Sequence, residues 1–286
     1  MADGTPPTGI RLRRMTPDDV GAAHALSQQV DWPHRPEDWQ FIHRLGHGMV
    51  AEAGGAVLGT ALWCPYGPDA AALGMVVVAP DRQGRGIGRR LTQAVLDDAG
   101  SRTVALNATE AGLPLYESLG FRPSGTIHQH QGVAPGIPLA PLREGERIRP
   151  IGRSDMPTLI DLDTKATGLP RSALLRALLD VSKGVALDRN GETVGFALVR
   201  RFGLGHAVGP VIARHVDGAK ALIRYWAGLH AGMFVRIDVT GDSGLSDWAG
   251  QLGLARAKSV MTMARGRPIP RDGGFHAFAI VNQALG

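Results

Sequence analysis

Val76-Val77-Val78-Ala79-Pro80-Asp81-Arg82-Gln83-Gly84-Arg85-Gly86-Ile87-Gly88-Arg89-Arg90 is the stretch that decides the fold of this chain. A β-branched apolar run stops at Pro80, passes through a glycine-rich basic turn and enters an apolar-periodic segment over residues 91–96. That succession predicts a strand, a tight loop and the start of a helix. Gly84, Gly86 and Gly88 let the backbone approach a ligand closely. Unpaired amides at the helix start, together with the helix dipole, favour an anion there. The stretch predicts a diphosphate cradle.

Spacing narrows the choice of phosphate ligand. A phosphate-binding P-loop needs Lys-Ser/Thr after its last glycine, whereas Gly88 is followed by Arg89-Arg90. A dinucleotide fingerprint needs a glycine where Arg89 stands and an acidic residue at the end of the next strand, and residues 103–108 contain none. What fits is Gln-x-x-Gly-x-Gly at Gln83, Gly86 and Gly88. About thirty residues on, after the strand-like run 103–108, comes Leu115-Tyr116-Glu117-Ser118-Leu119-Gly120-Phe121. Leu115 and Leu119 lie at i and i+4 and Gly120 is a stop, so this is a short helix feeding a last strand.

In this order and at this distance the two motifs resemble the acyl-CoA signature and the Leu-Tyr-Glu-x-Leu-Gly-Phe segment of the GNAT superfamily of N-acyltransferases. The resemblance covers residues 8–132. It implies an α/β (α+β) fold, a mixed, mostly antiparallel twisted sheet flanked by helices. It further implies that the strand ending at the cradle splays from its neighbour and that pantetheine lies in the gap like an extra strand. Backbone groups of Val76, Val77 and Val78 then bond pantetheine, and amides of Gly84, Arg85, Gly86, Ile87, Gly88 and Arg89 hold the diphosphate, with Arg85 and Arg89 as cations. Acetyl-CoA is the implied cosubstrate, with no metal. Tyr116 is the implied general acid toward the leaving thiolate; without the surrounding motif it would read as a half-buried core aromatic.

Departures from the family pattern fall at the base. The glutamate that some members carry twelve positions before the tyrosine is Val104 here, and the cofactor-contacting asparagine seven before it is Thr109, with Asn107 two residues earlier. His34, Glu52, His128 and His130 are candidates for the base, histidine being preferred because it titrates near neutrality. His128 and His130 should share one strand face beside the cleft, but further ligands for a metal are missing. On the acceptor side, Trp32-Pro33-His34-Arg35-Pro36-Glu37-Asp38-Trp39 could form a pocket for a carboxylate-bearing amine, with Trp32 and His130 lining it and Arg35 gripping the anion. Alternatively the tryptophans pack a helix hairpin and His34 is exposed.

The chain repeats itself. Arg11-Leu12-Arg13 and Asp19 recur as Arg147-Ile148-Arg149 and Asp155, an offset of 136, and Gly59-Thr60-Ala61-Leu62 matches Gly195-Phe196-Ala197-Leu198 at the same offset. Each copy begins with a strand, then a helix capped near Thr16 or Ser154, a second helix, and two antiparallel strands around Gly54-Gly55 or Asn190-Gly191. Two tandem GNAT-like domains are expected: residues 1–132, a linker at 133–145, and residues 146–286. The second copy has lost the glycine ladder and carries Ala249 opposite Tyr116, so it should bind no acyl-CoA. Residues 275–280 alternate as a strand closing the second sheet.

Composition agrees with an enzyme of this class. A length of 286 residues exceeds what one core usually supports. No apolar run reaches spanning length and no leader is evident, so no membrane is expected, and residues 1–6 read as a disordered tail. One cysteine, Cys64, excludes an internal disulfide and suits a cytoplasmic location. The excess of 31 basic over 26 acidic residues includes no basic run interleaved with aromatics, so nucleic acid is a poor partner. The expectation is an acetyl-CoA-dependent N-acetyltransferase acting on a primary amine of a small molecule or peptide; a homodimer stays open. The rivals are a non-catalytic acyl-CoA sensor and a binder of some other phosphorylated ligand.

Overall fold

The computed structural model describes residues 9–286, so the tail expected at residues 1–6 lies outside the described residues. The first half runs β1 (Arg11–Arg14), α1 (Val20–Gln28), α2 (Pro36–Leu45), β2 (His47–Ala53), β3 (Ala56–Tyr66), β4 (Ala70–Val78), α3 (Ile87–Ala99), β5 (Thr103–Ala108), α4 (Leu113–Ser118) and β6 (Arg122–Val133). The second half repeats the plan as β7 (Glu146–Pro150), α5 (Met156–Thr167), α6 (Ser172–Val181), β8 (Ser182–Arg189), β9 (Glu192–Phe202), β10 (Gly205–Ala213), α7 (Val216–Leu229), β11 (Phe234–Thr240), α8 (Ser246–Gln251) and β12 (Ala255–Arg265), then adds β13 (His276–Ala279).

The repeated residues have a structural job. Arg13 bonds Asp19 at 2.7 Å and Glu52 at 2.6 Å, tying β1 to the turn before α1 and to β2. Arg149 does the same with Asp155 at 2.8 Å and Asp188 at 2.7 Å. Thr16 caps the first of these turns, but its counterpart is Gly152, two residues before the expected Ser154.

All strands form one sheet, in the order β1-β2-β3-β4-β5-β12-β6-β11-β13-β10-β9-β8-β7. The last strand of each half has crossed to the other. β5 pairs with β12 (Leu106 opposite Met263), not with β6, and β11 pairs with β6 (Ile237 opposite His130), not with β12. β6 and β12 meet antiparallel at the centre.

Strand alternation sorts the core onto two faces. On one face, Trp39, Phe41 and Ile42 of α2 pack in one cluster with Leu159, Leu174 and Leu178 of α5 and α6. On the other, α3 buries Ile87, Leu91, Val95 and Leu96 against the first half, and α7 buries Leu222, Ile223 and Trp226 against the second. At about 25 cal/mol per Å² of apolar surface removed from water, this shared core joins the halves firmly. No helix among the described residues is long and apolar enough to cross a membrane.

Candidate active site

β4 and β5 are parallel and paired only from Ala70 to Ala72 opposite Thr103 to Ala105; beyond that they diverge into a wedge. A bulge in β4 marks its opening, where the register against β3 slips between Thr60/Val77 and Leu62/Gly74. Met75 in the bulge takes a φ of 54°, a left-handed conformation that costs an L-residue free energy. A buried Thr60 hydroxyl donates to the Met75 carbonyl at 2.8 Å and holds it there. Bulges of this kind redirect the peptides that follow, here those of Val76 to Val78.

The cradle closes the top of the wedge. Gly84 and Gly86 have φ of 72° and 74°, and Gly86 is the cap of α3. The amides of residues 84–89 donate to no backbone or side-chain acceptor among the described residues, whereas the flanking Arg82, Gln83 and Arg90 amides are all taken. A Cβ on Gly88 would lie 3.7 and 3.8 Å from the side chains of Val78 and Leu115, ordinary packing distances. Gln83 donates through Nε2 to the Val78 carbonyl at 3.1 Å, pinning the loop to the strand end. Arg85 reaches back to the Asp81 carbonyl and Arg89 to the Ser118 hydroxyl, both in solvent.

Below the cradle the wedge opens into a cavity of about 110 Å³, lined by Met75 and Val76 of β4, Asn107 and Thr109 beyond it, Tyr116 of α4, and Trp32 and His34. It passes through the sheet. Tyr116 belongs to the core on the α3 face, while Trp32 packs on the α2 face. Tyr116 stands edge-on to the fully buried Phe121, with ring centroids 5.8 Å apart, and the Phe121 amide bonds back to the Tyr116 carbonyl at 3.0 Å. Burial pushes its phenol up to about 12, and the hydroxyl has no partner among the described residues. His34 lies among Trp32, Trp39 and Phe202, and its Nδ1 has no partner. Burial, and then the charge of Arg236, push it down to about 4, so it is neutral at pH 7.

Two acetyltransferase (GNAT) domain models match, one over residues 44–123 and the other over 159–278. An uncharacterized N-acetyltransferase of Bacillus subtilis, YitH, is 30% identical over 75% of this chain and 76% of its own. The chain belongs to the GNAT acetyltransferase family. It is an acyltransferase with two GNAT domains in tandem, and members of its family use acetyl-CoA as cosubstrate. A Pyrococcus horikoshii chain assigned as an acetyltransferase shares the fold at a TM-score of 0.80 and 20% identity, over 98% of this chain and 97% of that one. A tandem GNAT protein from the clavulanic acid biosynthesis pathway does so at 0.65 and 16%, over 90% and 98%.

The GNAT frame also shows which expected residues stand elsewhere. Arg35 does not line the cavity: it forks onto Asp38 at 2.8 and 3.2 Å and donates to the Arg201 carbonyl, a cap holding α2 to the second half. His130 does not line it either. It lies buried on β6 between the Leu254 carbonyl and the Ser246 hydroxyl, at 2.9 Å from each, because β12 occupies the place beside β5. His128 meets Ser259 at 2.7 Å, and Glu52 is spent on Arg13. Asn107 reaches the cavity, but its amide already donates to the Gln283 carbonyl and accepts from Thr262. In their stead the second half supplies Arg236 of β11, Lys258 of β12 and Asn282, none of which was singled out from sequence. The available clue was a charged residue in the middle of an apolar strand, as in Val235-Arg236-Ile237. Cys64 is a packing residue whose thiol burial pushes up to about 12. Among the described residues no group of three His, Cys, Asp or Glu could hold a metal ion.

In the second GNAT half the equivalent wedge is filled. β10 and β11 pair in parallel from His206 to Val208, then part, and β13 enters the gap, bonding Val211 to Ala213 on one side and Val239 on the other. The expected closing strand thus lies inside the sheet, where the first half is open.

Proposed function

We propose that the first half transfers an acetyl group from acetyl-CoA to a primary amine of a small molecule or peptide by direct attack, and that the second half binds no acyl-CoA. In this reading residues 1–132 are the catalytic unit, 133–145 the linker and 146–286 the degenerate partner. One observation carries it: backbone amides without partners at residues 84–89 and a phenol without a partner at Tyr116 stand at two ends of one wedge. The partnerless amides of residues 84–89 and the unpaired β4 edge fit a diphosphate followed by a strand-like arm. β13 supplies the comparison, since its backbone takes the corresponding ladder on β10.

When bound, acetyl-CoA supplies the activated thioester. The amides of Gly84 to Arg89 hold the diphosphate, with the Arg85 and Arg89 guanidiniums at its rim, and Gln83 positions the loop. Val76, Val77 and Val78 offer backbone groups to the arm, and the bulge at Met75 aims an amide at the thioester carbonyl. The Nδ1 of His34 accepts a hydrogen bond from the incoming amine and passes its proton to solvent. As the nitrogen–carbon bond forms and the carbon–sulfur bond breaks, Tyr116 gives its proton to sulfur. Burial keeps the phenol protonated, and makes a thiolate in the same place more basic, so the two are matched when needed. Asn107 and Thr109 shape the wall beside the thioester.

The test is thiol release from acetyl-CoA across an amine panel, with calorimetry of CoA alone. Release with at least one amine, lost on replacing Tyr116, is expected. Tight CoA binding with no release from any amine would leave an acyl-CoA sensor instead, and no CoA binding would remove both readings.

A further inference from the structure

The second half contributes no chemistry to the cradle, yet it builds most of the far wall of the cavity. Strand alternation explains how. On β11 the side chains of Val235, Ile237 and Val239 enter the core under α7, so Arg236 and Asp238 face the opposite side, that of α2 and the acceptor. Lys258 pairs across β6 with Gln129, which in turn stands opposite Asp238, so Lys258 shares that face. The exchange of β6 and β12 brings these side chains to the first half's wedge.

The lining is one-sided in charge. Arg236 and Lys258 reach the cavity, and no carboxylate does. Arg236 is buried and forked onto Asp238 at 2.6 and 2.9 Å, while Lys258 has no carboxylate within ion-pair distance among the described residues. Behind Phe202, buried Arg200 lies 3.7 Å from Asp38, a carboxylate already claimed by Arg35, and leaves Nε and Nη2 without partners. Asn282, 3% exposed, adds a neutral donor. Its Oδ1 accepts from the Ala284 and Leu285 amides at 2.9 Å, which fixes the orientation of the amide and leaves Nδ2 buried beside the cavity with no partner. An unsatisfied buried donor of this kind is costly unless a ligand or water meets it. Against these donors stands a single orphan ring nitrogen, His34 Nδ1.

We infer that the acceptor is a small amine carrying a carboxylate, its anion held by Lys258, Arg236 and Asn282 and its nitrogen directed to His34 and Tyr116. The inference rests on the transferase reading for the identity of the nucleophile, but the anion site stands on its own geometry. A cavity of about 110 Å³ is below the size that takes a drug-sized ligand, which favours an acceptor with a short skeleton.

The experiment pairs binding with turnover. The protein amino acids, β-alanine and 4-aminobutyrate are each compared with their carboxamides, and phosphoethanolamine with ethanolamine, against the CoA complex by calorimetry and by thiol release. The expected result is a preference of about tenfold or more for at least one acid over its carboxamide, the range of one charge-assisted hydrogen bond. Lys258→Met should remove most of that preference with CoA affinity unchanged, and Lys258→Glu should turn it toward the carboxamide. Lys258 is an exposed strand residue, so both variants should fold. An Arg236→Gln/Asp238→Asn double variant, which leaves no lone buried charge, should weaken acid binding alone. Carboxamides bound and turned over as well as acids, a preference untouched in Lys258→Glu, or selection of the phosphate over every carboxylate would overturn the proposal. Acid-selective binding without thiol release would instead sink the transferase reading and leave the anion site standing.

Discussion

Replacing Gly88 by alanine separates the cradle's binding role from its structural one. The added Cβ would sit 3.7 Å from Val78 and 3.8 Å from Leu115, which are ordinary packing distances, so the free protein has room for it. The backbone at Gly88 is helical, the second residue of α3, and alanine there gains up to about 1 kcal/mol over glycine. The melting temperature should therefore stay or rise by roughly 2 °C. In the proposed reading the methyl group nonetheless crowds a diphosphate held by the amides of residues 84–89. Loss of one charge-assisted hydrogen bond, about 1.5–3 kcal/mol, should weaken CoA by roughly tenfold to 150-fold. Gly86→Ala is the counter-example. Its Cβ meets open space, but a φ of 74° should cost about 1–2 kcal/mol of stability. Calorimetry with CoA beside thermal unfolding reads both quantities. A Gly88→Ala protein that binds CoA as well as the parent would refute the placement of the diphosphate.

Tyr116→Phe should lower turnover by about a hundredfold or more while CoA affinity changes little; unchanged turnover in an acetyl-transfer assay removes the phenol from the mechanism. His34 is held at about 4 when folded against 6.5 when free, so the unfolded chain binds the extra proton between those values. Its contribution, at most about 3 kcal/mol, is full above pH 6.5 and is lost as pH falls toward 4. Denaturant titrations should show His34→Gln flattening that window while leaving the separate loss between about pH 4 and 2, over which Asp19 gives up its pairing with Arg13. Asp163→Asn should cost about 3–5 kcal/mol, because Arg171, forked onto Asp163 at 2.6 and 3.0 Å in the core, would be stranded. Chemical unfolding that shows less than 1 kcal/mol of loss there would contradict this.

What the sequence made legible was local. The glycine spacing, the helix stop at Gly120 and the recurrence at an offset of 136 each lie within one short segment, and each appears in the structure. The exchange of β6 and β12 does not, because either strand could pair with the edge of β5 and only the assembled sheet decides between them. The same ambiguity misplaced His130, which would flank the cleft only if β6 followed β5 in the sheet. Arg35 went astray for the opposite reason: Asp38, one helical turn away, claims its guanidinium before any ligand can. Lys258 and Arg236 lie about two hundred residues from the acceptor segment they face, and no short-range pattern joins them.

The crossing of those two strands changes what protein concentration can do. An arrangement in which each subunit lends its final strand to the other ordinarily forms only when two copies meet, and dilution then dissolves it. Here a single covalent chain carries both lenders, so the acceptor wall is assembled at any dilution. Because the partner is always present and never has to be identical, the two halves need not be alike: β13 fills the wedge of one half, which still supplies the strand that completes the other.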